Sequence, residues 1–150
     1  MTNADEAEAM FLEGYNCAQS VLTTCGQDRG LPRETALRVA QALGGGIGWT
    51  GNVCGALTGA LMAIGLECAA IEASDIPSKA KAHQLAQAVA AEFARRNGTL
   101  LCRELTGCNL QTAEGQQRFK DTDARHKVCV KLVRDGVEIF EQILPKRPHA

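Results

Sequence analysis

Seven of the seventeen residues from Gly44 to Ala60 are glycines, so this stretch interrupts regular structure near the middle of the chain. It contains a nominal G-x-G-x-x-G pattern, formed by Gly46, Gly48 and Gly51. In a dinucleotide-binding unit this pattern follows a strand and opens a helix. The segment before the glycines, ETALRVAQAL, consists of helix formers and supplies no strand. We therefore predict that the loop does not bind NAD and is not a phosphate cradle.

The later glycines have a different spacing. Gly51, Gly55 and Gly59 recur every four residues, which places them on one face of a helix that is predicted to begin near Asn52. A glycine inside a helix costs up to about 1 kcal/mol relative to alanine, so this face is expected to meet another backbone or a cofactor closely. Cys54 would lie in the first turn, where unpaired N–H groups and the helix dipole lower the pKa of a thiol.

Apolar residues recur every three or four positions along the rest of the chain, which is typical of amphipathic helices. This spacing predicts helices over residues 5–25, 32–43, 52–65, 78–97, 99–107 and 122–144. Residues 108–121 are predicted to be a polar connection, and residues 145–150 a frayed tail. Nothing in the sequence indicates a sheet. We therefore expect residues 1–150 to form one all-α domain, a bundle of about five to six helices with a glycine-rich loop before the central one.

The charge and the amino terminus limit the class of protein. The net charge is −1 and the pI is about 6.3, so there is no basic surface for nucleic acid or anionic lipid. The opening MTNADEAEAM lacks the basic and apolar regions of a signal peptide. No apolar run approaches the roughly 18 residues of a membrane span. We expect a cytoplasmic protein that binds neither nucleic acid nor membranes.

The chain contains seven cysteines, an unusual number for its length. Cytoplasmic thiols stay reduced unless they are catalytic or bind a metal, and an odd number argues against a simple disulfide framework. A free cysteine also packs well as a small apolar residue. The arrangement of the cysteines must therefore decide between packing and chemistry.

Four motifs resemble, in order, those of a known family. They are GYNCAQSVL at 14–22, VCGALTGALMAIG at 53–65, CREL at 102–105 and CVKLV at 129–133. Together they resemble the C_GCAxxG_C_C family of redox proteins, named for four cysteines and a CGAxxG core, which is CGALTG in this chain. The resemblance covers nearly the whole chain and implies a helical protein with a redox role.

The family is similar to the cysteine-rich domain of split-Soret cytochromes, in which four cysteines hold an iron–sulfur cluster. Carried over to this chain, the resemblance implies Cys17, Cys54, Cys102 and Cys129 as the ligands. We expect a [2Fe–2S] form, because four thiolates complete it. The chain has no C-x-x-C-H motif, so no haem is expected.

The residues support the same choice independently. The four cysteines lie on four different predicted helices, at separations of 37, 48 and 27 residues, and Cys17 and Cys129 fall within apolar stripes. Helical bundles build cofactor sites from one side chain on each of several facing helices. Four thiolates suit zinc or an iron–sulfur cluster. The absence of local C-x-x-C pairs weakens the zinc interpretation.

The remaining candidates carry less evidence. Cys108 is a candidate for a spare metal ligand or a resolving thiol because it closely follows Cys102. Cys25 is expected to be a packing residue, and Cys68 has no partner that the sequence identifies. His126 precedes Cys129 by one helical turn and could reach the same site, although a solvated or capping histidine is the commoner role.

Three functions follow from these observations. The first is electron transfer by an iron–sulfur protein whose redox partner protein is unknown. The second is a metal-free thiol–disulfide oxidoreductase in which Cys54 is catalytic and Cys17 or Cys102 resolves. The third is a helical interaction module with a structural zinc. The small residues around Gly55 also make a homodimer an expectation.

Overall fold

The structure, a computed structural model, describes residues 1–144 and is 72% helical. Within that range there is no strand, and one antiparallel bridge joins Val53 to Leu101. The helices are α1 (Asn3–Glu13), α2 (Cys17–Gly26), α3 (Arg33–Val39), α4 (Gly55–Cys68), α5 (Ile76–Asn97), α6 (Cys102–Thr106), α7 (Ala113–Asp121) and α8 (Val130–Ile143). The predicted all-α class is confirmed, but eight helices replace the five to six expected. The frayed tail predicted over 145–150 lies outside the described residues.

The single helix predicted over residues 5–25 is two helices. Gly14, with a φ of +127°, ends α1. Asn16 then caps α2, because its side chain accepts the Gln19 N–H while the Gln19 side chain accepts the Asn16 N–H. The apolar pattern continues across this break because α1 and α2 bury their faces in the same core. Periodicity alone therefore could not show the interruption.

The central helix begins three residues later than predicted. Asn52 does not cap it; Cys54 occupies the N-cap position and α4 starts at Gly55. Val53, just before the cap, is engaged in the bridge with Leu101. Gly51 therefore lies in the loop, with a φ of +73°, and not on the helix face with the two later glycines.

The last third of the chain contains more helix than expected. Residues 108–121 were predicted to be a connection, but they include α7, whose first turn is capped by the Thr112 side chain. Only Gly115 is buried in α7, so the helix shows no apolar stripe to detect. The helix predicted over 122–144 also differs, because a π-helical turn at Arg125–Cys129 precedes α8.

The core is centred on α2 and α4, with α1, α5 and α8 packed around them. Close approach depends on glycine: a Cβ on Gly59 would lie 2.8 Å from the Ala18 carbonyl oxygen, and one on Gly136 would lie 2.7 Å from that of Ala56. The fully buried side chains around this contact are large and apolar, and they include Phe93, Phe140, Leu22, Leu57 and Ile64. The face of α4 that carries Gly55 and Gly59 is thus covered by α2 within the chain.

Ion pairs connect the outer helices. Arg134 of α8 pairs with Asp5 at 2.9 Å and Glu8 at 2.6 Å on α1. Arg96 of α5 pairs with Asp135 on α8 at 3.3 Å. Among the helices of residues 1–144, none is both long and apolar enough to cross a membrane.

Candidate functional site

One cavity of about 510 Å³ lies between the glycine loop, residues 44–52, and the π-helical turn. Four of the seven cysteines line it: Cys17, Cys54, Cys102 and Cys129. We call it the cysteine cavity. The chain thus brings to one place the four residues that the sequence singled out, from segments up to 112 positions apart.

Two of the four cysteines stand at the start of a long helix. Cys17 is the first residue of α2 and not, as predicted, an interior residue of a longer helix, and Cys54 is the N-cap of α4. Unpaired N–H groups and the helix dipole stabilise a thiolate at such positions. Cys102 opens the five-residue α6, and Cys129 ends the π-helical turn before α8.

The thiols of Cys17 and Cys54 affect each other's pKa, and Cys129 affects that of Cys17. The pKa of Cys54 is lowered, first by a hydrogen bond from the Cys17 thiol and further by the N–H groups of Ala56 and Leu57, against the opposing effect of burial. The pKa of Cys17 is raised well above its ordinary value by its hydrogen bonds with Cys129 and Cys54 and by burial. Of these two thiols, Cys54 therefore loses its proton more readily than Cys17.

Cys102 has a different environment. Burial raises the pKa of its thiol to about 12, and the neighbouring sulfurs of Cys54, Cys129 and Cys108 add to the effect. Cys102 is therefore protonated at neutral pH in the metal-free protein. Metal binding at this position would have to release its proton, which makes metal affinity depend on pH.

Glycine allows the cysteine segments to approach one another. A Cβ on Gly46 would lie 2.6 Å from the Cys102 Cβ and 2.7 Å from the Asn52 backbone nitrogen. A Cβ on Gly55 would lie 3.1 Å from the Cys17 Cβ. Larger residues at these two positions would push apart the segments that carry three of the four sulfurs.

Backbone hydrogen bonds fix the loop against the start of α6. The Cys54 N–H donates to the Leu100 carbonyl at 2.9 Å, and the Cys102 N–H donates to the Asn52 carbonyl at 2.7 Å. The side-chain amide of Asn16 also donates to the carbonyls of Ala40 and Gln41, just before the glycines. These bonds set Cys54 and Cys102 side by side.

The rest of the cavity wall combines apolar and charged side chains. Its apolar residues are Phe11, Trp49, Leu110, Phe119 and Leu132. His126 also lines the cavity, but its side chain is 58% exposed and its Nδ1 lies 2.7 Å from Asp123 Oδ1, which fits the solvated role that the sequence favours. Lys120, Arg125 and Trp49 were not predicted as site residues, because neither their spacing nor their residue types distinguish them from ordinary surface residues.

The other cysteines do not line the cavity. Cys108 is buried beside Cys102, and its thiol donates to the Thr106 carbonyl oxygen at 3.4 Å. Cys25 is buried in the main core, as expected for a packing residue, and burial raises its pKa above the usual range. Cys68 is partly exposed at the end of α4.

The geometry does not form a site for a single metal ion. Within residues 1–144, no group of three or more His, Cys, Asp or Glu side chains is arranged to enclose one. Four ligands of one zinc ion must surround it at about 2.3 Å from each sulfur. A cluster of several iron and sulfide ions is larger, so its ligands can be further apart. The four thiols around one cavity fit the larger group as a donor set.

A comparison with protein families finds one match. Residues 15–143 match the model of the family described as "putative redox-active protein (C_GCAxxG_C_C)". Neither the curated proteins nor the solved structures contain a match to this chain.

Proposed function

Because the chain belongs to the C_GCAxxG_C_C family of redox-active proteins, we propose that it carries an iron–sulfur cluster in the cysteine cavity and acts in electron transfer. Cys17, Cys54, Cys102 and Cys129 would hold the cluster. The observation that carries the proposal is that these four thiols, from four separate segments, line one cavity. Such a convergence of soft ligands is not needed for packing.

A cluster accounts for the site better than zinc does. A structural zinc requires its four ligands around one point, and the described side chains contain no such group. Four cysteine ligands complete a [2Fe–2S] or a [4Fe–4S] centre, and four is the number that the cavity provides. We propose the [2Fe–2S] form, which the ratio of iron to protein distinguishes from the larger cluster, and keep zinc as the alternative for a colourless protein.

The chain contributes the environment of the site. The start of α4 supplies two N–H groups to the Cys54 sulfur, which stabilises the anionic ligand. Phe11 and Phe119 give the cavity apolar walls that limit water near the sulfurs. When bound, the cluster would supply one-electron transfer, at a potential set by such hydrogen bonds and by exposure to solvent.

A second candidate is supported by the contact between Cys17 and Cys54. A lowered thiol pKa beside a second thiol is the arrangement of a disulfide oxidoreductase. The Cys54 thiolate would attack a substrate disulfide, form a mixed disulfide and release one thiolate. The Cys17 thiol would then lose its proton and attack the Cys54 sulfur, closing a Cys17–Cys54 disulfide and releasing the second thiol. This function needs no metal.

The deciding experiment is an absorption spectrum of anaerobically purified protein, with iron, acid-labile sulfide and zinc counted on the same sample. We expect visible bands that dithionite bleaches and equal amounts of iron and sulfide. A colourless sample without stoichiometric iron would overturn the cluster proposal. Reversible formation of a Cys17–Cys54 disulfide, abolished in Cys54→Ser, would then favour the second candidate.

Single substitutions assign the ligands. Serine at any of the four cavity cysteines should remove most of the iron and the visible bands. The matched control is Cys68→Ser, because Cys68 is partly exposed and does not line the cavity. Equal iron in all five variants would contradict the assignment of these ligands.

A further inference from the structure

Three consecutive backbone N–H groups in the cysteine cavity have no acceptor. Gly44, Gly45 and Gly46 line the cavity, and within residues 1–144 their N–H groups make no hydrogen bond. Gly44 and Gly46 are buried. Buried backbone N–H groups are almost always paired, so three successive exceptions at one cavity need an explanation.

The loop backbone holds these donors in an unusual conformation. Five successive residues, 45 to 49, have φ values between +59° and +70°, and two of them are Ile47 and Trp49. Side chains of this size disfavour the left-handed region because their Cβ comes too close to the following carbonyl oxygen. The N–H groups of Ile47, Trp49 and Thr50 are all paired within the turn. Successive N–H groups in such turns form concave sites that bind anions.

The charged side chains of the cavity favour the same kind of ligand. Lys120 and Arg125 line it, and among the described residues Lys120 makes no ion pair or side-chain hydrogen bond. Asp123 is the carboxylate of the lining, and it is bonded to His126. Arg125 already donates to the Phe11 carbonyl and lies over the Phe11 ring, so Lys120 is the cation of this lining that remains for an anionic ligand.

The apolar part of the cavity wall and the volume of the cavity indicate the remaining chemistry of the ligand. The apolar side chains of Phe11, Trp49, Leu110 and Phe119 line the cavity beside the donors. Its volume of about 510 Å³ lies within the range of pockets for small organic molecules, roughly 300–1,000 Å³. The space is thus suited to a molecule with an apolar body and one anionic group.

We propose that the cysteine cavity binds a small organic anion, whose charged oxygen atoms accept the N–H groups of Gly44, Gly45 and Gly46 and whose apolar body packs on Phe119 and Trp49. This differs from a dinucleotide site, because no strand precedes the glycines and no helix begins at them. The ligand would lie next to the four sulfurs, so the protein would have a small-molecule substrate in addition to a redox centre. The binding groups are independent of the cluster proposed above.

The test uses cyclohexanecarboxylate and its neutral analogue cyclohexanecarboxamide with the reduced, full-length, ¹⁵N-labelled protein of measured iron content. Trp49 is the only tryptophan and lines the cavity, so its fluorescence reports binding, while amide shifts locate the ligand. We expect saturable binding of the carboxylate with shifts at Gly44–Gly46. The amide should bind at least about tenfold more weakly, since hydrogen bonds to a charged acceptor are about twice as strong. Equal binding of both probes, or no shift at these glycines, would overturn the proposal.

Variants separate the charge from general packing. Lys120→Gln should weaken carboxylate binding by about two- to fivefold, the range for one solvent-exposed charge contact. Lys81→Gln is the matched control, because Lys81 is exposed on α5 and does not line the cavity. An equal effect of both variants would overturn the assignment to the cavity. Binding of the carboxylate by iron-free protein would support this site even if the cluster proposal failed. Iron-loaded protein that does not bind the carboxylate would overturn this site and leave the cluster proposal standing.

Discussion

Cys54 and Cys17 are neighbouring thiols whose pKa values are shifted in opposite directions, because one receives hydrogen bonds and the other provides them. The Cys54 sulfur accepts from Cys17 and from two N–H groups of α4, which lowers its pKa. Cys17 keeps its proton between Cys129 and Cys54, which raises its pKa. These two pKa shifts distinguish Cys54, the candidate nucleophile or anionic ligand, from Cys17, its hydrogen-bond donor.

This asymmetry predicts the order of alkylation in the reduced, metal-free protein. Iodoacetamide should modify Cys54 at lower pH than Cys102, whose pKa is about 12. In Cys17→Ala, the rate at Cys54 near neutral pH should fall about two- to tenfold, the effect of losing one hydrogen bond of about 0.5–1.5 kcal/mol. Mass spectrometry of the labelled peptides measures this. Cys25→Ala is the control, and an equal fall in that variant would contradict the role of Cys17.

Gly46 is required by both its conformation and its surroundings. Gly46→Ala would place a Cβ against Cys102 and Asn52 at a φ of +70°. The free energy of unfolding should therefore fall by about 2–4 kcal/mol. Gly30→Ala is the matched control, with a φ of +80° and no atom near the added Cβ. It should cost only about 1 kcal/mol. Urea denaturation compares the two, and equal losses would show that the contact with Cys102 is unimportant.

At the scale of elements, the contact between α2 and α4 positions the site. Cys17 begins α2 and Cys54 caps α4, so the separation of these two helices sets the separation of the two sulfurs. Gly55 and Gly59 allow the close approach, since each faces the backbone of α2 at about the distance where a Cβ would collide. The helix packing and the cysteine geometry are therefore one structural feature.

Two glycines of α4 should respond oppositely to alanine. Gly59→Ala would bring a Cβ within 2.8 Å of the Ala18 carbonyl oxygen, and overpacking of this kind typically costs about 1–3 kcal/mol. Gly65 lies in the same helix with nothing near its added Cβ, so Gly65→Ala should stabilise by about 0.5–1 kcal/mol through helix propensity. Thermal or urea unfolding distinguishes the two. Stabilisation by both substitutions would contradict the close packing of α2 on α4.

At the scale of the whole molecule, the fold holds several reduced thiols away from water, with Cys25 in the main core and Cys102 in a smaller cluster with Cys108 and Leu110. Burial raises the pKa of Cys25 and Cys102 above the ordinary value of 9.0, and Cys17 is raised further by its sulfur partners. The folded, metal-free protein therefore binds protons at these positions that the unfolded chain releases above about pH 9.

The stability of the reduced, metal-free protein should accordingly fall at alkaline pH. The contribution of these thiols to the free energy of unfolding is fully present below pH 9, where they are protonated in both the folded and the unfolded protein. It is lost as the pH rises towards 12, the pKa of Cys102 in the folded protein. Each raised thiol contributes up to about 1.4 kcal/mol per pH unit, and less for Cys102, which solvent at the cavity partly screens. Urea unfolding between pH 8 and 10 measures the slope. Cys25→Ser should flatten it, and an unchanged slope would contradict the raised pKa of Cys25.

The sequence alone predicted the helical class because apolar spacing is a local property, and it identified the four cysteines through their motifs. It missed the break at Gly14, where the pattern continues across two helices in one core. It also missed α7, which buries only Gly115 and so carries no stripe. Both failures have the same cause, since periodicity records which face is buried and not whether the backbone is continuous.

By itself, the sequence determined that the chain is helical, where the glycines interrupt it and which thiols are available for chemistry, because these depend on residue type and short-range spacing. Only the tertiary structure decided that Cys54 caps α4, that Gly55 and Gly59 face α2, and that Gly44–Gly46 share a cavity with Lys120. These contacts join residues far apart in the chain. They depend on how closely helices can pack, which no local pattern encodes.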